Sequence, residues 1–111
     1  MRIISKSERL SERQIFQLTK SGNLAKVKDN VGRRFDIVDY VLYTDINTKT
    51  GEEIELLAII TDDGDALATN SRTVIRSFKD MIDVFPLPIT DVEIVSSVSK
   101  NGRDFYNIIL A

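Results

Sequence analysis

From Asp36 onward the chain alternates strand-like stretches with tight turns and admits one helix, an order that restricts the possible folds more than composition does. Asp36 to Ile46 is rich in β-branched and aromatic residues. One alternate face carries Val38, Tyr40, Leu42, Thr44 and Ile46 and is expected to meet the core. The other carries Ile37, Asp39, Val41, Tyr43 and Asp45, a mixed set expected to look outward. Asn47 to Gly51 supplies a turn, and Glu53 to Thr61 returns as a second strand, nearly continuously apolar after Glu55. Asp62, Asp63, Gly64 and Asp65 make the next turn, before a short third strand at Ala66 to Thr69.

Asn70 or Ser71 then caps a helix in which Val74, Ile75, Phe78, Met81, Ile82 and Phe85 recur at three- and four-residue intervals. Arg72, Arg76, Lys79 and Asp83 fall opposite, and Pro86 and Pro88 stop the helix. Thr90 to Ser99 is a fourth strand. Lys100 to Arg103 contains the Asn-Gly pair favoured in type I′ hairpins, and Phe105 to Leu110 closes the chain as a fifth strand. The order β-β-β-α-β-β predicts a β-rich α+β domain, an OB-fold-like five-stranded barrel over residues 35–111.

Residues 1–34 form a basic arm within the same single domain. Ile3 and Ile4 suit a short strand, and Ser11 with Gln14 matches a capping box that starts a helix. Leu10, Ile15 and Leu18 give it a modest apolar stripe, and Ser21, Gly22 and Asn23 end it. A basic connector from Lys26 to Arg34 follows, with room for another short strand.

The 111 residues contain no cysteine and no histidine, so disulfides, thiolate catalysis, most transition-metal sites and the usual general base are missing together. Asp62, Asp63 and Asp65 are the only dense acidic cluster, and an Asp-Gly turn accounts for them without an ion. No phosphate loop or serine elbow is present, so neither an enzyme nor a cofactor is expected. The opening residues hold too few apolar positions for a signal peptide, and no run suits a membrane span. A cytoplasmic protein without a membrane partner is expected.

The net charge of −2 hides a division. Residues 1–34 hold nine Lys/Arg and three Asp/Glu, whereas 35–111 hold six and fourteen. A basic arm before an acidic body suits a polyanion contact through counterion release, and it equally suits an arm lying against its own body. Single-strand binders pair cations along a groove with aromatic faces for base stacking. The cationic candidates are Lys26, Lys28, Arg33, Arg34, Lys49, Lys100 and Arg103. Lys49, Lys100 and Arg103 lie on the two turns that flank the ligand groove of an OB barrel. The stacking candidates are Tyr43, read as a surface ring beside Asp39 and Asp45, and whichever of Phe105 and Tyr106 faces outward.

The opening Ile3 to Leu10, the hairpin of Tyr40 to Asp45 with Glu55 to Leu57, the stretch Ala68 to Phe78 and the ending Gly102 to Tyr106 resemble the small single-stranded DNA-binding proteins of phages that infect Gram-positive bacteria. The resemblance covers most of the chain. It implies a protein that coats and protects single-stranded DNA in phage or plasmid replication and recombination, with little sequence specificity. Replication or recombination proteins and further copies of the chain are its candidate partners. The disordered acidic tail of many bacterial single-strand binders is not matched at Leu110 and Ala111. A rival reading takes the acidic excess after Phe35 as the mark of a protein-interaction module, an inhibitor of a host nucleic-acid-processing protein.

Overall fold

A computed structural model describes residues 1–20 and 24–111. In chain order the elements are β1 (Arg2–Lys6), α1 (Glu12–Lys20), β2 (Ala25–Lys26), a 3₁₀ turn (Val27–Asn30), β3 (Arg34–Ile46), β4 (Glu53–Thr61), β5 (Ala66–Thr69), α2 (Arg72–Val84), β6 (Ile89–Val98) and β7 (Asp104–Leu110). Among the described residues the fold is a small β-rich α+β structure with one curled sheet and two helices. Among the described residues the sheet has seven strands rather than five. Its order is β2-β5-β4-β3-β6-β7, and β1 lies on β3 beside the path. The five expected strands are all present, in the expected sequence order. The path nevertheless stays open: β5 spends its second edge on a parallel ladder with β2, so no rung joins it to β7.

Local signals account for the ends of the elements. The Ser11 N–H donates to Gln14 Oε1 at 2.9 Å and the Gln14 N–H donates to Ser11 Oγ at 3.2 Å, a complete capping box at the start of α1. The proposed helix stop at Ser21, Gly22 and Asn23 lies outside the described residues. Ser71 caps α2 by accepting from the Val74 N–H. The last hairpin departs from the type I′ expectation, because Asn101 keeps a negative φ. The Gly102 N–H donates to Ser99 O, and Gly102 alone takes the left-handed region at φ 75°, which gives a type I turn followed by a glycine bulge.

One irregularity in β3 decides which side chains enter the core. The ladder with β4 shifts register between Ile37 and Asp39, so two residues there oppose one. Phe35 and Ile37 before the shift, and Tyr40 and Leu42 after it, therefore all point inward. The simple alternation expected for this strand is corrected: Ile37 is fully buried, Val38 is half-buried and Ile46 is exposed. The main core joins these residues to Leu57, Ile59, Leu67, Val92, Ile94 and Ile108, and to Val74, Ile75, Phe78 and Met81 of α2. The Phe78 and Tyr40 rings meet with centroids 4.8 Å apart.

A second cluster lies on the opposite face of the sheet. Leu10 and Leu18, with Ile15 and Leu24 beside them, cover Val41, Tyr43, Leu56, Ala58, Ile60 and Ala66. The outer face of β3, β4 and β5 is thus largely covered by the N-terminal segment, with Val41, Tyr43 and Ala58 buried and Leu56, Ile60 and Ala66 partly so. Ion pairs fasten the same layer: Arg2 to Glu53 at 2.9 Å, Arg9 to Asp39 at 2.7 Å and Lys20 to Asp45 at 3.2 Å.

Candidate nucleic-acid interface

Between the β2–β5 edge and Tyr106 of β7 a groove of about 440 Å³ opens, lined by Lys26, Val27, Lys28, Leu56, Ala68, Thr69, Asn70, Ser71 and Tyr106. The 3₁₀ turn carries Lys28, and the two-residue β2 ladder holds Lys26 opposite Ala68. Both lysines are exposed, and neither forms an ion pair among the described residues. Tyr106 is half-buried: it packs against the main core and also lines the groove. The wall between them mixes the polar Thr69, Asn70 and Ser71 with the apolar Val27, Leu56 and Ala68. Sequence reasoning missed the three polar residues, because nothing local marks the end of a short strand as a groove wall.

Four more candidates occupy the hairpin ends. Lys49 is exposed in the β3–β4 turn, and Lys100 and Arg103 are exposed in the β6–β7 turn, all without a carboxylate partner among the described residues. Phe105 is 38 % exposed and lies opposite Ser97, on the face of β7 that alternates with Tyr106. The hairpin end thus presents a ring on one face and cations at its tip.

Tyr43 requires a correction. It is only 6 % exposed and lies under α1, packed with Leu10, Leu18 and Val41. The acidic neighbours that suggested a wet face are engaged with arm cations instead. Asp39 accepts both Arg9 Nε and Nη2, and Asp45 accepts Lys20 Nζ. Burial, with a smaller contribution from Asp45, raises the pKa of the Tyr43 phenol. The ring is therefore not the surface ring that alternation suggested.

Two arginines are already engaged. Arg33 Nη2 lies 2.7 Å from Asp63 Oδ2 and 2.7 Å from Asp65 Oδ2, with its guanidinium 5.8 Å from the Phe35 ring centroid. The hydrogen bond with Asp65 is the main reason that its pKa rises. The Thr61 hydroxyl, followed by Arg33, lowers that of Asp63. Arg34 donates to Glu93 at 2.9 Å, its direct cross-strand neighbour on β6. With Arg2, Arg9 and Lys20, five of the arm's nine cations hold carboxylates of the body. Much of the charge division seen in the sequence is therefore internal pairing.

Unpaired lysines and a partly exposed ring beside a mixed polar and apolar wall are side-chain types that suit a flexible polyanion with stackable rings, as a single-stranded nucleic acid is. Comparison with protein families specifies the class: the family model described as phage single-stranded DNA-binding protein matches residues 3–111, and the chain belongs to that family. The family is defined by DNA binding rather than by catalysis. No curated protein and no solved structure matches the chain. Among the described residues no helix is long and apolar enough to cross a membrane.

Proposed function

We propose that this protein coats exposed single strands in the host cytoplasm during phage or plasmid replication and recombination, protecting them with little sequence preference. The observation that carries this reading is the seam groove, where Lys26, Lys28 and the Tyr106 ring converge in a chain of single-strand-binding descent. Lysines that meet phosphate and a ring that meets base faces do not read base identity, so binding tolerates any sequence. Lys49, Lys100, Arg103 and Phe105 extend the contact from the hairpin ends. Arg33 and Arg34 are left out, since each already holds a carboxylate. We read the order β5-β4-β3-β6-β7 as an OB-type barrel over residues 35–111 whose closing ladder is replaced by the groove, with residues 1–34 as its arm.

Fluorescence anisotropy with labelled oligo-dT tests the reading. Binding at low salt that weakens on Lys26→Ala/Lys28→Ala and on Tyr106→Ala is the expected result, and binding indifferent to all three changes refutes the groove. Nuclease protection of a long single strand tests the coating role. The rival reading, an acidic module that engages a host protein, is weakened by the pairing of Asp39, Asp45, Glu53, Asp63, Asp65 and Glu93 with arm cations.

A further inference from the structure

Resting on that reading, we propose that the bound strand continues past the seam onto α2, where Arg72 and Arg76 take its next phosphates. A second groove of about 510 Å³ runs between α2 and the start of β4. Asn70 lines both grooves, so the two share a wall at the entry to α2. Arg72 and Arg76 are exposed and stand one turn apart on the same helix face, about 6 Å along the axis. Neither has a carboxylate partner among the described residues, whereas Lys79 in the next turn is held by Glu55 at 2.9 Å.

The opposite wall carries Glu52, Glu53 and Glu55, which would repel phosphate if all three were free. Two are not. Glu53 is paired with Arg2 and Glu55 with Lys79, leaving Glu52 as the one carboxylate there without a cation among the described residues. The alternative path, across the outer face of β4 and β5 that usually binds oligonucleotides in an OB barrel, is largely covered by the N-terminal segment: Ala58 is buried, and Leu56, Ile60 and Ala66 are partly buried beneath it. The α2 face therefore continues the groove in a direction that the arm leaves open.

Anisotropy titrations with oligo-dT of about 5 and about 15 nucleotides, near the two ends of the site sizes of ~4–16 nucleotides seen per barrel, test this extension. In Arg72→Ala/Arg76→Ala, affinity for the short oligonucleotide should stay unchanged. Affinity for the long one should fall roughly tenfold at low salt, with the slope of log K against log salt shallower by about 1.4. Arg72→Lys/Arg76→Lys should restore that slope. No loss on the long strand, or an equal loss on both lengths, overturns the proposal. Lys26→Ala/Lys28→Ala separates it from the reading beneath it: short-strand binding that ignores both lysines refutes the seam itself. Short-strand binding that needs the lysines, together with long-strand binding indifferent to the arginines, refutes only the extension.

Discussion

Arg9 grips Asp39 through two N–H groups on one edge of its guanidinium, Nε at 2.8 Å from Oδ1 and Nη2 at 2.7 Å from Oδ2, and so fastens the N-terminal arm to β3 at its bulge. Asp39 is only 5 % exposed, and charge and hydrogen bonds from Arg9 compensate its burial. Arg9→Ala should lower the melting temperature by stranding that carboxylate. Arg9→Ala/Asp39→Asn should recover part of the loss, since no buried charge is then left unpaired. Thermal denaturation of the variants checks both expectations, and an unchanged melting temperature in Arg9→Ala would remove the pair as a fastening.

Two tyrosines that look alike in sequence should differ in what truncation does to DNA binding. Tyr43 is core, so Tyr43→Ala should cost about 3–5 kcal/mol of stability, as for large aromatic truncations, while the folded fraction binds DNA normally. Tyr106→Ala should weaken binding by about 1–3 kcal/mol, the contribution of one stacked base. Denaturant unfolding and oligo-dT titration together separate the two roles.

Salt dependence should distinguish free cations from engaged ones. Each phosphate neutralised on a single strand contributes about −0.7 to the slope of log K against log salt. Lys26→Ala/Lys28→Ala should make that slope shallower by about 1.4. Arg34→Ala, which removes a partner of Glu93, should leave it unchanged. A shallower slope in Arg34→Ala would show that phosphate displaces Glu93.

Acid should loosen the turn that follows β4. Asp63 has a depressed pKa through the Thr61 hydroxyl and then Arg33, and Asp45 through the Ile46 N–H and then Lys20. Carboxylates held below their unfolded value stabilise the fold fully above about pH 3.9 and lose that contribution as pH falls through the folded value. The melting temperature should therefore fall as pH drops below about 4, and Asp63→Asn should flatten that fall. A pH series of thermal melts on both proteins gives the answer.

Short-range features were legible in the sequence. The Ser11 and Gln14 capping box, the hairpin from β3 to β4, the short strand at Ala66–Thr69 and the Ser71-capped α2 all depend on residues within a few positions of one another. Lys26, Lys28 and Tyr106 could likewise be chosen by type, as cations and a ring.

Exposure and partnership could not be read in the same way. Alternation marked Tyr43 as outward, and it does leave the main core, but α1 returns from more than twenty residues upstream to cover it. The bulge between Ile37 and Asp39 carries Ile37 into the core, a change of phase that no period-two pattern contains. Arg33 and Arg34 look as free as Lys26 until folding brings Asp63, Asp65 and Glu93 to them. The amino-acid sequence by itself determined the elements, their order and the types of side chain available, because neighbouring residues set propensity, caps and turns. Only the tertiary structure decided which cations remain unpaired, which ring meets solvent and where the sheet stays open, because each depends on groups that meet only after the chain has folded.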